Sequence, residues 1–228
     1  MLMVPLLAAA VGTIFSTAVI RQFLSRHRPY QAVWGAALAM FAAAALAEAT
    51  GIALGWNGVS YRVYYLFGAI LNVGWLAVGT IYLLGSSRTG HGAALVMAAI
   101  SVAAIVGVLA SHTDPALLRA SVPGRGAISD PAAIFPLITN IPGSIILVGG
   151  AALSAWLALR RGAPGARVLG TALIAAGAFL VAGGHTLAQT RGVYVVQPIS
   201  EALGIVVMFS GYLAVESRRV PLFRTRAA

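Results

Sequence analysis

Six side chains in an otherwise apolar chain could do chemistry: Glu48, Arg62, Asn72, Asn140, His185 and Glu201. A carboxyl near the centre of a membrane helix costs at least about 2.5 kcal/mol to insert, so it faces a protein interior or water rather than lipid. Two such groups at similar depth make a candidate site for a proton or a small polar ligand. Pairing Glu48 or Glu201 with Arg62 would lower the cost of burial, and a protonated glutamic acid is neutral and can donate a hydrogen bond. Asn72 and Asn140 add amide donors and acceptors, and His185 a ring nitrogen. At about 1.5 Å per residue, Glu48 lies roughly 8 Å and Glu201 roughly 5 Å to the same side of the midpoints of their spans. Asn140 is level with Glu48, His185 lies farther out and Asn72 sits close to the midplane. The opposite half offers hydroxyls only, among them Thr80, Ser154, Thr171 and Ser210. A polar cluster open at one face and closed below it has the layout of a ligand pocket or a half-channel.

The elements that must position these groups are seven long apolar segments, at residues 3–20, 31–54, 63–84, 92–110, 132–159, 168–187 and 194–215. A hydrocarbon core about 30 Å thick needs roughly 20 apolar residues per helix, which each segment approaches or exceeds. Continuous apolar runs predict helices, since barrel strands would alternate polar and apolar residues. With 60% hydrophobic and 9% charged residues and a mean hydropathy of +0.91, the fold class is all-α, a polytopic membrane protein with one seven-helix domain over residues 1–228. No charge precedes Arg21, so the first segment reads as a retained helix rather than a signal peptide. A 3+1+3 arrangement, one helix joining two triple-helix halves, fits the span count, with Tyr61 and Tyr194, and Gly51 and Gly184, at comparable positions.

Arginine distribution sets the predicted orientation. Arg21, Arg26, Arg28, Arg88, Arg160, Arg161, Arg167, Arg218, Arg219, Arg224 and Arg226 fall on one side, against Arg62, Arg119, Arg125 and Arg191 on the other. The positive-inside rule then puts the amino terminus outside and the carboxyl terminus in the cytoplasm of a multi-pass cell-membrane protein. The polar cluster thereby faces outward. Trp34, Trp56, Tyr61, Tyr64 and Tyr194 lie near span ends, where an aromatic belt is expected. The basic excess belongs to the cytoplasmic rim and to anionic lipid, and no basic stripe with stacking aromatics points to nucleic acid.

The long connector, residues 111–131, carries Pro115, Pro123, Gly124, Gly126 and Pro131 and reads as an external loop or a lid over the pocket. Gly170, Gly177 and Gly184, and Gly204 and Gly211, recur every seven residues and predict close packing of the last two helices. Pro136 and the Pro142–Gly143 pair predict a kinked or locally broken fifth helix. The chain has no Cys and no Lys, which removes thiolate chemistry, Cys-ligated metals and a Schiff-base lysine. No nucleophile–base motif, zinc motif or phosphate-binding glycine loop occurs, so the chain reads as a binding protein rather than an enzyme. No cofactor is predicted. His112 and His185 are the one histidine pair placed to act as axial ligands of a haem, since His27 and His91 lie on the opposite side.

Residues 61–85, YRVYYLFGAILNVGWLAVGTIYLLG, resemble a block in uncharacterised bacterial multi-span membrane proteins. The resemblance implies a seven-helix integral membrane fold and no particular chemistry. The layout is also similar to bacterial seven-helix sensory modules and, through Arg62 at the outer end of the third helix, to microbial rhodopsins, whose retinal lysine is missing. The leading expectation is a bundle binding a small molecule or a proton from outside, for transport or sensing, through Glu48, Arg62, Asn72, Asn140, His185 and Glu201. Its rivals are a non-catalytic subunit or scaffold docking on another membrane protein through its glycine seams, and a cofactor-bearing redox or pigment protein.

Overall fold

The computed structural model describes residues 2–120, 123, 125–193 and 195–216. Tyr194, Gly124, Arg218, Arg219, Arg224 and Arg226 lie outside the described residues. Seven helices are long and apolar enough to cross a membrane: α1 (Met3–Arg26), α2 (Pro29–Leu54), α3 (Gly58–Leu84), α4 (Ser87–Ala110), α5 (Phe135–Arg160), α6 (Gly165–Arg191) and α7 (Val196–Glu216). They fall on the seven apolar segments, so the chain is an all-α multi-pass membrane bundle. Helix α1 runs on past Ile20, where its apolar run ends, because backbone hydrogen bonding does not depend on the side chain being apolar. It stops at His27, which takes a left-handed conformation (φ 51°) and bonds back to the Phe23 carbonyl at 2.7 Å.

Local chemistry sets the other boundaries. Pro29 opens α2, where its missing N–H costs nothing. Asn57 caps α3 by accepting from the Val59 and Ser60 amides, with Ser60 closing a capping box. Ser86 caps α4 through the Thr89 amide. Gly192 ends α6 at φ 68°, a conformation that favours glycine.

Six helices form a ring in chain order, with α1 on α2, α2 on α3, α3 on α5, α5 on α6, α6 on α7 and α7 back on α1. Helix α4 stands outside the ring against α3, and Leu95, Val96, Val102, Val106 and Leu109 on its surface are exposed as a lipid-facing helix requires. The bundle therefore divides into two three-helix halves, α1–α3 and α5–α7, joined through α4 and meeting at the α3–α5 and α7–α1 contacts. Odd linkage makes α5 run parallel to α1, so each half crosses the membrane in the same sense.

Within the second half, α6 and α7 meet along their glycines. A Cβ on Gly170 would lie 2.5 Å from the Gly211 carbonyl oxygen, and one on Gly177 would lie 2.6 Å from that of Gly204. Gly184 lies against Ser200 one step farther along. Backbone approach of this kind replaces the hydrophobic effect, which is absent between helices in lipid. The seam is filled by the packing of α6 on α7.

Helix α3 is not uniform. Residues Tyr65–Leu71 wind as a π-helix, widening the turn opposite α2 and α5. Gly68 lets this segment approach α2, where its Cβ would lie 3.1 Å from the Ala44 Cβ. Gly143 does the same for α5, whose backbone reaches Val73 just beyond the π segment. Helix α5 is continuous through Pro142, so of the expected kinked or locally broken helix the break does not occur, and Pro142 supplies no N–H to the turn before it.

The connector is folded against the bundle. An antiparallel bridge pairs Thr113 with Ile128, the Asp114 amide bonds the Ala127 carbonyl at 3.0 Å, and Leu118, Ala127 and Ile128 are buried in one core cluster with Val108 and Tyr61. Tyr61 and Tyr64 are likewise buried, at 0% and 6% exposure, so they do not belong to an aromatic belt. They pack with Trp56 and Tyr65 into an aromatic cluster.

Gly177→Ala should lower the stability of the purified protein by about 1–3 kcal/mol, the usual cost of overpacking, whereas Gly183→Ala, whose Cβ meets nothing within 4 Å, should leave it unchanged. Thermal unfolding in mild detergent measures both, and equal midpoints would contradict the packing described.

Candidate functional site

The ring surrounds a partly open cavity of about 540 Å³. Leu38 and Phe41 of α2, Tyr61, Tyr64, Tyr65 and Asn72 of α3, Asn140 and Leu147 of α5, His185 of α6, and Gln197 and Met208 of α7 contribute to its wall. Pro123, buried, reaches it from the connector. Both halves of the bundle line the cavity. Its polar groups lie toward the connector end, while Leu38, Leu76, Leu147 and Met208 line it toward the arginine-rich end.

Glu48 stands in the last two turns of α2 and is 1% exposed. Glu201 stands in the second turn of α7, four residues after Gln197, a spacing that places both on one helix face. The Gln197 amide Nε2 donates to Glu201 Oε1 at 3.0 Å and to the Tyr64 hydroxyl at 2.8 Å. One amide group thus ties the second half of the bundle to the first. The Glu48 and Glu201 carboxyls interact electrostatically with each other and with the Tyr64 hydroxyl. His185 Nδ1 lies 3.6 Å from Glu201 Oε1, within ion-pair range but too far for a hydrogen bond. Glu48 Oε1 is buried without a hydrogen-bond partner.

Arg62 does not join the carboxyls, which corrects the expected Glu–Arg pairing. Its Nε donates to the Val108 carbonyl at 3.2 Å and its Nη2 to the Ser111 carbonyl at 2.8 Å. The last carbonyls of a helix have no intrahelical partner and carry partial negative charge, so the end of α4 is a strong competitor for a guanidinium. Arg62 therefore anchors α4 and the root of the connector to α3.

The two asparagines do reach the cavity. Asn140 Nδ2 donates to the Ala69 carbonyl in the π segment at 2.7 Å, which fixes the amide orientation and leaves Oδ1 buried without a partner. Asn72, 6% exposed, follows the π segment directly, and its Oδ1 is also unpartnered. Of the six residues singled out by type, Asn72, Asn140 and His185 line the cavity, Glu48 and Glu201 lie behind its wall against Tyr64 and Gln197, and Arg62 turns away.

His112 is exposed on the connector and lines a separate shallow depression with Asp114 and Ser129, while His185 lines the central cavity. The two histidines line different cavities. Among the described residues no group of three His, Asp or Glu side chains is placed to hold a metal ion.

Tyr64 and Gln197 were not singled out by type. Spacing held the signal for Gln197, four residues before Glu201. Nothing local distinguishes Tyr64 from a rim tyrosine. A second polar network lies at the opposite, arginine-rich end, where only hydroxyls were expected. Arg26 Nη2 meets Glu216 Oε1 at 2.8 Å, Gln22 Nε2 donates to Glu216 Oε2 at 2.7 Å, and the fully buried Gln31 donates to Gln22 Oε1 at 2.6 Å. This network joins α1, α2 and α7. Compared with protein-family models, curated proteins and solved structures, the chain matches none.

Arg62→Gln should loosen the end of α4 by about 1.5–3 kcal/mol, the range for hydrogen bonds to a charged donor. Hydrogen–deuterium exchange should rise about tenfold or more over residues 107–118, and exchange unchanged there would contradict the anchoring role.

Proposed function

We propose that the protein is a membrane carrier for a small organic solute, and that Glu48 and Glu201 form a proton-exchanging pair at its binding cavity. The observation that carries this reading is a pair of interacting carboxyls, Glu48 and Glu201, held against Tyr64 and Gln197 in the wall of a cavity between two three-helix halves, with Arg62 turned away from them. Two carboxylates in one low-dielectric site repel, and removing a counter-charge leaves that repulsion uncompensated. A proton held by the pair, or on His185, balances the charge. Loss or capture of that proton then changes what the site can bind.

Carriers built from two parallel repeats place their sites at the repeat interface, near the bilayer midplane, and alternate access by rocking one half on the other. Here the contacts that would separate in such a motion are at opposite ends of the cavity. Gln197–Tyr64 joins the halves near the carboxyls, and Arg26–Glu216 joins them at the arginine-rich end. The arginine distribution supports an orientation with the connector outside, in which case the site loads from the exterior of the cell membrane. A cavity of this volume falls in the range for small-molecule sites.

Proteoliposomes loaded with a pH-sensitive dye and challenged with a panel of organic solutes test the carrier. A transported solute should change the internal pH, and Glu48→Gln and Glu201→Gln should each reduce that change about tenfold or more, a loss of at least 1.4 kcal/mol in transition-state terms, with helical circular dichroism intact. A response that survives both substitutions would contradict the assignment. Orientation has its own check, because a chain without cysteine accepts single reporters. A membrane-impermeant maleimide should label Ala116→Cys in intact cells and Ser87→Cys only after permeabilisation, and the reverse pattern would invert the topology.

A further inference from the structure

We infer that the central cavity takes an uncharged, lipid-soluble molecule with one hydrogen-bonding group, and that this molecule enters sideways from the bilayer between α5 and α6. The inference specifies the solute of the proposed carrier and rests on that reading for transport, though not for binding. Charge in the wall comes first. Among the described residues no arginine, aspartate or glutamate lines the cavity, since Arg62 is held at the end of α4 and Glu48 and Glu201 lie behind the wall against Tyr64 and Gln197. An ion taken up there would lose its hydration without gaining a counter-charge, a cost that a neutral molecule avoids.

The cavity is open at its side. Pro123 of the connector, itself buried, lines its outer end, and Leu38, Leu76, Leu147 and Met208 line it toward the arginine-rich end. Between those ends, Leu137 and Ile141 on α5 line the cavity and are nevertheless 48% and 59% exposed, whereas every other described lining residue is buried or half-buried. Ile145, one turn beyond Ile141, is exposed and does not line the cavity, so Ile141 stands on the edge between wall and lipid. Nearer the arginine-rich end, α5 and α6 close on one another through Leu147, Val148, Ile174 and Ala178, which share one apolar cluster. The opening therefore lies in the connector-side half, between Leu137 and Ile141 of α5 and Val181, Ala182 and His185 of α6, within the span of both helices.

Lipid chains are as apolar as the aliphatic wall, so a molecule that leaves the bilayer for the cavity gains little from the hydrophobic effect. Selection falls to packing and hydrogen bonds. The Asn72 Nδ2 and the Ser144 hydroxyl, on two side chains that line the cavity, have no hydrogen-bond partner among the described residues. Asn72 is 6% exposed and its Oδ1 is fully buried, so the end of the amide that reaches the cavity is Nδ2. A hydroxyl or carbonyl oxygen on the ligand accepts from these two groups, where lipid chains offer no partner. The hydrocarbon or aryl body then lies against the aliphatic and aromatic remainder of the wall.

Photolabelling of the full chain in phosphatidylcholine vesicles tests this with three diazirine-bearing probes on one dodecyl chain: an alcohol, a sulfonate and a trimethylammonium. Labelling of the lipid-facing residues of α4 gives the reference for each probe. The alcohol should label cavity-lining residues in a manner that excess dodecanol blocks, and each charged probe should do so about tenfold or more weakly, a difference of at least 1.4 kcal/mol. Ile141→Trp, which fills the side opening, should remove most of the cavity labelling, while Ile145→Trp, on the lipid face one turn away, should leave it unchanged and so controls for folding. Asn72→Leu and Ser144→Ala should each raise the dodecanol concentration needed for blocking about threefold or more, as the loss of one hydrogen bond requires. Equal cavity labelling by a charged probe, equal effects of the two tryptophans, blocking insensitive to both Asn72→Leu and Ser144→Ala, or no blockable labelling would overturn the inference. A solute-driven pH change that needs Glu48 and Glu201, without blockable cavity labelling, would sink the lipid-soluble ligand and leave the carrier standing. Blockable cavity labelling with no pH change from any solute would keep the site and sink the carrier.

Discussion

At membrane depth no water is available to a polar side chain, so every such group must be satisfied inside the protein or bear the cost of isolation. Glu48 on α2 and Glu201 on α7 impose that constraint on helices that are not neighbours in the ring. Both must point inward, and the structure places them in one region with Tyr64, Gln197 and His185 around them. The ring of six helices gives that region an inside. The peripheral helix, α4, carries no carboxyl or carboxamide and meets lipid with valines and leucines.

Close packing and an open cavity coexist because they are made by different residues. Glycines draw α6 onto α7 and let α5 reach α3 through backbone contact, while the π segment of α3 packs between α2 and α5. Asn140 donates to the Ala69 carbonyl within that segment. The same amide is thereby left with its oxygen buried and without a partner. Polar ties between the two halves are Gln197–Tyr64 and Asn140–Ala69 on the connector side and the Glu216 contacts with Arg26 and Gln22 at the arginine-rich end.

Much of the fold was legible because membrane insertion reads composition over long windows. Seven apolar runs predict seven helices, and the heptad glycines predict the α6–α7 seam that the backbone distances show. Local polar competition was less legible. Nothing in the order of residues says that Arg62 would meet the carbonyls of Val108 and Ser111 rather than a carboxylate, since the end of α4 comes beside it only through tertiary packing. Tyr61 and Tyr64 read as rim aromatics because they stand near a span end, yet the connector folds over them and buries them. Glu216, Gln22 and Gln31 escaped notice for the opposite reason, as each sits at a boundary where polar residues are ordinary. In the candidate site the residue types carried most of the information, and the hydroxyl and amide that link the two halves did not stand out by type.

The account depends on Glu48 and Glu201 acting as one unit. A double-mutant cycle on the stability of the full chain, with Glu48→Gln, Glu201→Gln and both together unfolded in mixed micelles, measures this directly. Groups in one network give coupling of about 0.5–3 kcal/mol, which is the result expected here. Additive effects, equal to the sum of the single changes within about 0.5 kcal/mol, would show two independent carboxyls and contradict the account.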